Sequence, residues 1–266
     1  MKHLIFTIIS LLVASTTAIA AEATLDKANE AYKRELYNQA LQLYSEIERT
    51  QGPSSVVCYN MGNTYYRLKD TGRAILYYER ALLLDPSNSD ARYNLEFVRE
   101  KSQINETSGQ SFFTQWTEGV ISHLSSNTWA TLALVSFILT LVAIALYLLA
   151  SNVVMRKIGF FGGALLAIFT LVAVASAWHM RSKSVNRNRA IVTAQQVTLS
   201  TAPREPRNKS EQAFTLTTGH LVTIHDSISS TPTDTLTPTK TPTIWYDVET
   251  TTGQRAWLPS PTITRI

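Results

Sequence analysis

The side chains of this 266-residue chain best equipped to ligate a metal or attack a substrate are five histidines and one cysteine. Their spacing supports neither chemistry. His220 and His225 stand five apart with no third ligand near them, so no metal site is expected. Cys58 is the only thiol, so no internal disulfide can staple the fold. A buried small hydrophobe is the expected role of Cys58. The chain holds no phosphate-cradling glycine loop, no Ser/His/Asp set and no GxGxxG. Catalysis needs a base or nucleophile held in a concave site, and nothing here nominates one. The expectation is a non-enzymatic protein without a cofactor, whose chemistry is binding. Trp245 and Trp257 have rings that could stack a ligand, with core packing as the alternative.

Four kinds of element must position whatever binds. In the middle, residues 128–150 and 158–178 are two apolar runs without a charged residue. Each matches the ~20 residues a helix needs to cross a bilayer's hydrocarbon core. The expected architecture is an α + β multidomain membrane protein with a two-helix transmembrane hairpin; a buried soluble hairpin is the competing reading. Loop 151–157 carries Arg156 and Lys157, which the positive-inside rule places in the cytoplasm. Gly159 and Gly163 form a GxxxG pair, which lets a second helix approach closely. Neither run holds an ionisable residue, which argues against a transport path.

Residues 1–20 read as an export signal: Lys2, an apolar stretch from Leu4 to Val13, and Ala18-Ile19-Ala20 as a cleavage pattern. An uncleaved signal anchor is the alternative. Either way, both terminal modules are expected outside the cytoplasm, in the periplasm beside the inner membrane. Charge is uneven. Residues 22–106 carry 11 Lys/Arg and 13 Asp/Glu, whereas 180–266 carry 10 and 6. Arg181, Lys183, Arg187 and Arg189 follow the second run directly, where anionic headgroups would be their partner. That places them against the positive-inside rule. Nothing accompanies this charge that would read nucleic acid.

Residues 22–104 repeat with a period of 34. Tyr32 recurs as Tyr66, Ala40 as Ala74, Tyr44 as Tyr78, Tyr59 as Tyr93 and Asn60 as Asn94. That period marks tetratricopeptide arrays. The second repeat resembles that family most, with Gly62, Tyr65, Ala74, Tyr78, Ala81 and Pro86 at its small-aromatic-small-aromatic-small-proline positions. Asp90 to Ser102 is expected to cap the stack. By this resemblance, partner peptides bind the concave face of the first helix of each repeat, here Asn29, Tyr59, Asn60, Asn63, Tyr66 and Arg67. Asn29 and Asn60 match asparagines that hold a peptide's terminal carboxylate in some members. The cations completing that clamp are replaced by Leu25, Asp90 and Asn94. In the 105–127 linker, Phe112, Phe113, Trp116, Val120, Ile121 and Leu124 recur at helical spacing. This predicts an amphipathic helix at the lipid headgroups, with a further helix of the array as the alternative.

Beyond Ala190 the composition turns to β-branched and turn residues, with about five short strands in under 80 residues. Residues 188–266 resemble a bacterial SH3 domain, on AIVTAQQVTLSTAP, FTLTTGHLVTIHD and WYDVETTTGQRAWLPSPTITRI. This implies an SH3-like small β-barrel. Thirteen of the 18 residues in 226–243 are Ser, Thr or Pro, which predicts a disordered insert. Asp226-Ser227-Ile228 and Asp234-Thr235-Leu236 resemble an O-glycosylation signal of exported proteins in the Bacteroidetes group, making Ser227 and Thr235 candidate sugar sites.

The order of parts, with YNMGNTYYRLKDTGRAILYYERALLLDP and the WYDV and WLP pair, resembles the E-type proteins of the Bacteroides aerotolerance operon. The resemblance implies an inner-membrane scaffold in a stress-related envelope complex. Its expected partners are von Willebrand A-type and other membrane proteins of that operon. The alternative is a cell-wall sensor whose SH3-like domain binds peptidoglycan.

Overall fold

The computed structural model describes residues 25–104, 119, 121–185, 188–230 and 243–266. The expected export signal, most of the linker, Arg187 and Thr235 lie outside them. The described residues form two compact units: residues 25–104 with 188–266, apart from 85–87, and the stretch around the apolar helices.

Five helices open the first unit: α1 over 25–33, α2 over Tyr37–Gln51, α3 over Ser55–Arg67, α4 over Thr71–Leu84 and α5 over Ser89–Lys101. Local chemistry sets their ends. Ser54 and Asn88 accept from Val57 N and Ala91 N, satisfying orphan donors at the starts of α3 and α5. The carboxylate of Asp70 accepts from Arg73 N at the start of α4. Glu35, Lys69 and Gln103, spaced by 34, all adopt positive φ, at 63°, 63° and 57°. Each closes the same turn, in which Leu36 N, Asp70 N and Ile104 N donate to the carbonyls of Ala31, Tyr65 and Arg99. So α5 is the first helix of a third repeat and ends as the others do.

Between these helices the small residues permit close approach. A Cβ on Gly62 would stand 2.7 Å from the Tyr78 ring. Tyr44, Tyr78, Ala74, Ala81 and Met61 are fully buried, and Cys58 is buried beside Ala81 and Ala91.

Seven strands complete this unit: β1 Arg189–Val192, β2 Gln196–Ser200, β3 Gln212–Thr217, β4 Leu221–Ser230, β5 Thr243–Thr250, β6 Arg255–Pro259 and β7 Ile263–Arg265. They form one sheet in the order β3-β2-β6-β5-β4-β1-β7, every neighbour antiparallel. Val192, Leu199, Val222, Val248 and Leu258 fill its core. Two expectations change here. The sheet ends at β3 and β7, which do not pair, so it is not the closed barrel expected. The three-residue β7 is held by β1, and its Arg265 carbonyl accepts from Arg80 Nη2 on α4. The expected disorder of 226–243 also fails at its margins. Ser227, Ile228, Ser229 and Ser230 pair with Tyr246, Trp245, Ile244 and Thr243. Composition alone cannot see that β5 templates these residues.

The helices and the sheet are not separate modules. On α4, Gly72, Ile75, Leu76 and Glu79 form a buried stripe. A Cβ on Gly72 would collide with Thr218 and approach the Val192 carbonyl. Ile75, Tyr78, Leu95, Val98 and Ile104 share one apolar cluster with Ile191, Leu221 and Ile266. Glu79 bridges Arg99 at 2.8 Å and Arg189 at 3.1 Å, all three largely buried. Arg189, expected beside lipid headgroups, is therefore in β1 and paired with a carboxylate of the repeats.

The second unit is a helical hairpin. Helix α6 covers Ser126–Leu149 and α7 covers Val153–Val185. Both are long and apolar enough to cross a membrane. The expected 151–157 loop shrinks, because α7 begins at Val153 and takes in Arg156 and Lys157; Asn152 Oδ1 accepts from Val154 N and starts the helix early. The helix also runs past Trp178. Gly159 lies against the Ala143 carbonyl and Tyr147 backbone, so close that a Cβ would stand 2.8 Å from them. The Ser136 and Thr170 hydroxyls meet at 2.9 Å, and Trp129 Nε1 donates to the Ile121 carbonyl. Ile121 and Leu124 thus pack on the hairpin. Leu134, Ile138, Leu148, Phe161, Leu165 and Leu171 remain exposed.

Candidate functional site

A hydrogen-bonded motif runs through the repeats with the 34-residue period. Asn29 Oδ1 accepts from Tyr44 OH at 2.7 Å and from Asn60 Nδ2 at 3.1 Å. One repeat on, Asn63 Oδ1 accepts from Tyr78 OH at 2.7 Å and from Asn94 Nδ2 at 2.8 Å. Each tyrosine comes from the second helix of a repeat and fixes an amide of the first. The amide then fixes the asparagine of the next repeat. This leaves Nδ2 of Asn29 and Asn63 to donate and Oδ1 of Asn60 and Asn94 to accept. An extended backbone presents the complementary groups.

Burial keeps the tyrosines in the donating state. It pushes the Tyr44 hydroxyl up to about 12, helped by nearby Tyr32, and raises Tyr78 further, helped by Tyr59. A groove of about 520 Å³ opens over three of these amides, lined by Asp26, Asn29, Glu30, Tyr32, Lys33, Tyr44, Asn60 and Asn63. Three of the six expected contact residues line it. Of the rest, Tyr66 sets its ring edge-on to Phe97 at 6.0 Å and accepts from Lys101 Nζ at 2.9 Å. Tyr59 lies tilted against Tyr78 at 6.2 Å. Arg67 is exposed, beside Tyr32.

Sequence reasoning missed the third helix of this face. The expected cap is α5, on which Tyr93 and Phe97 are 70% and 43% exposed, while Leu95 and Val98 are buried. The signal was present in the period: Tyr59, Asn63 and Arg67, moved by 34, become Tyr93, Phe97 and Lys101.

In the sheet, Trp245 is buried opposite Ile228 and Pro259, and Trp257 is half-buried opposite Asp247 and Ser200. Arg255 makes a two-pronged contact with the Asp247 carboxylate. His225 contacts Glu249 and His220 contacts the Thr217 carbonyl, so the two histidines have separate partners. Ser227 lies in β4, its N–H donating to Asp226. Cys58 is held as the thiol, because burial pushes it up to about 12.

Residues 55–88 match the tetratricopeptide repeat. This span is α3, α4 and the turn after them. Among solved structures, an Arabidopsis OM64 TPR domain is similar at 27% identity, over 31% of this chain and 68% of that one, with a TM-score of 0.30. No curated protein matches this chain.

Proposed function

We propose that this protein is a non-enzymatic membrane scaffold whose tetratricopeptide groove holds an extended segment of a partner protein. The repeated amide motif carries this reading. Asn29 and Asn63 are pre-ordered by tyrosine hydroxyls and in turn order Asn60 and Asn94, so little side-chain entropy is lost when a backbone pairs with them. Tetratricopeptide repeats are protein-interaction modules, and the groove supplies the concave surface that role needs.

On this reading α6 and α7 cross the inner membrane, with their exposed Leu, Ile and Phe side chains in lipid. The repeats and the sheet face the periplasm. Both must lie on one side, because α4 and β1 share a core. The neighbours implied by the operon resemblance are von Willebrand A-type membrane proteins in a stress-related complex. For the wall-binding alternative, Trp245 is inside the sheet, which leaves half-buried Trp257 as its candidate stacking ring. A photo-crosslinking residue at Tyr59 or Tyr66 of the full chain in cells should give one discrete protein adduct. Absence of any adduct at both positions would remove the groove as a partner site.

A further inference from the structure

The groove is chemically uneven along its length. Its α1 end carries Asp26 and Glu30 beside Lys33, so that end has no net positive charge. In the next two repeats Lys33 recurs as Arg67 and Lys101, while Asp26 and Glu30 are replaced by Asn60 and Thr64 and then by Asn94 and Val98. Lys101 is anchored on Tyr66 of the preceding repeat, and Arg67 stands exposed beside Tyr32 in the same relation. Lys101 Nζ also lies 5.4 Å from the Tyr66 ring centre and 5.7 Å from that of Phe97. Beside it, exposed Tyr93 and Phe97 stand one turn apart on α5. They take the positions that Tyr59 and Asn63 hold on α3, so they continue the groove past the Asn63–Asn94 pair.

One held cation, one exposed cation, an exposed aromatic pair and a fixed amide pair thus stand on α3 and α5. We propose that this end of the groove selects an extended acidic segment in which an apolar side chain neighbours a carboxylate. The apolar side chain lies on Tyr93 and Phe97. The carboxylate faces Lys101 and Arg67, where a charge-assisted hydrogen bond is about twice as strong as a neutral one. The backbone between them pairs with Asn63 and Asn94. This deepens the scaffold reading and rests on it. It differs from recognition of a chain terminus, because side-chain carboxylates within a segment are what the cations meet.

The test uses the full chain in detergent micelles, immobilised and exposed to a pool of random peptides. Peptides of about nine residues suffice, since packed helices lie 8–10 Å apart and an extended chain advances about 3.3 Å per residue. Their ends are acetylated and amidated, which removes terminal charge. The retained peptides should be several-fold enriched in Asp or Glu next to an apolar residue. In an Arg67→Ala, Lys101→Ala double variant, affinity for a retained peptide should fall about tenfold or more and the acidic excess should vanish. An Arg67→Lys, Lys101→Arg variant should keep the excess, and Phe97→Ala should erase the apolar preference alone. Retention without acidic excess, an excess that survives in the double alanine variant, or no retention above bare resin each overturns the proposal. Crosslinking from Tyr59 and Tyr66 in cells is indifferent to ligand charge, so it separates failure of this selectivity from failure of the groove itself.

Discussion

Cys58, Tyr44 and Tyr77 are acids that this fold holds in their neutral forms. Burial is the main cause for each, with the Glu48 carboxylate adding to it for Cys58 and Tyr77, and Tyr32 for Tyr44. The Cys58 thiol moves from its ordinary 9.0 to about 12. Its folded value is raised, so the stabilisation is fully present below pH 9, where both states keep the proton. It is lost as pH climbs from 9 towards 12 and only the unfolded chain ionises. Near pH ~10.5 the loss from Cys58 alone is on the order of 2 kcal/mol. The midpoint of thermal unfolding should therefore fall steeply above pH 9, and Cys58→Ala should flatten that fall. An unchanged slope in the variant would show that the thiol ionises as freely inside as out. Residue identity was a good guide here. A lone Cys at an apolar repeat position reads as buried, and it is. Asn94 is harder to read, because it stands where the family pattern has a cation while its geometry is that of a hydrogen-bonding partner for Asn63.

Among the elements, α4 differs from α2 in one stripe. The first repeat carries Asn38, Leu41, Gln42 and Ser45 where the second has Gly72, Ile75, Leu76 and Glu79. The first set is exposed or half-exposed and the second is buried against the sheet. That contrast was legible, since an extra apolar stripe on a helix announces another neighbour. The neighbour itself was not legible, because β1 lies more than a hundred residues away. Sheet closure was equally out of reach, since strand patterns fix faces and leave open which edges meet. Glu79 is the element-scale test. Glu79→Ala would leave Arg99 and Arg189 facing each other without their shared carboxylate, a loss of roughly 3–5 kcal/mol. Limited proteolysis of the variant should release the helical repeats from the sheet at lower denaturant than the parent. Equal resistance would mean the apolar contacts of Ile75 and Ile191 hold the dock alone.

For the whole molecule, the shared core ties the two ends of the chain together irrespective of what separates them. If α6 and α7 cross a membrane, reporters placed after residue 104 and after Ile266 must give the same sidedness. Both should also report the side opposite a probe in the Ala150–Asn152 turn. Opposite answers at the two outer positions would be incompatible with α4 packing on β1. Two apolar runs and their GxxxG pair made the hairpin readable in advance, and Gly159 does meet α6. The shortness of its turn was not readable, because Arg156 and Lys157 look like loop residues until Asn152 is seen to start the helix before them.

The distance along the chain from Glu79 to Arg189, 110 residues, also sets a schedule. At roughly 5–20 residues per second of synthesis, on the order of 5–20 s pass between the two residues leaving the ribosome. During that interval the stripe of Ile75 and Leu76 has no cover, while two greasy helices are made and placed. Stalling synthesis near residue 185 should therefore leave that stripe bare, and the stalled chain sticky and quickly degraded.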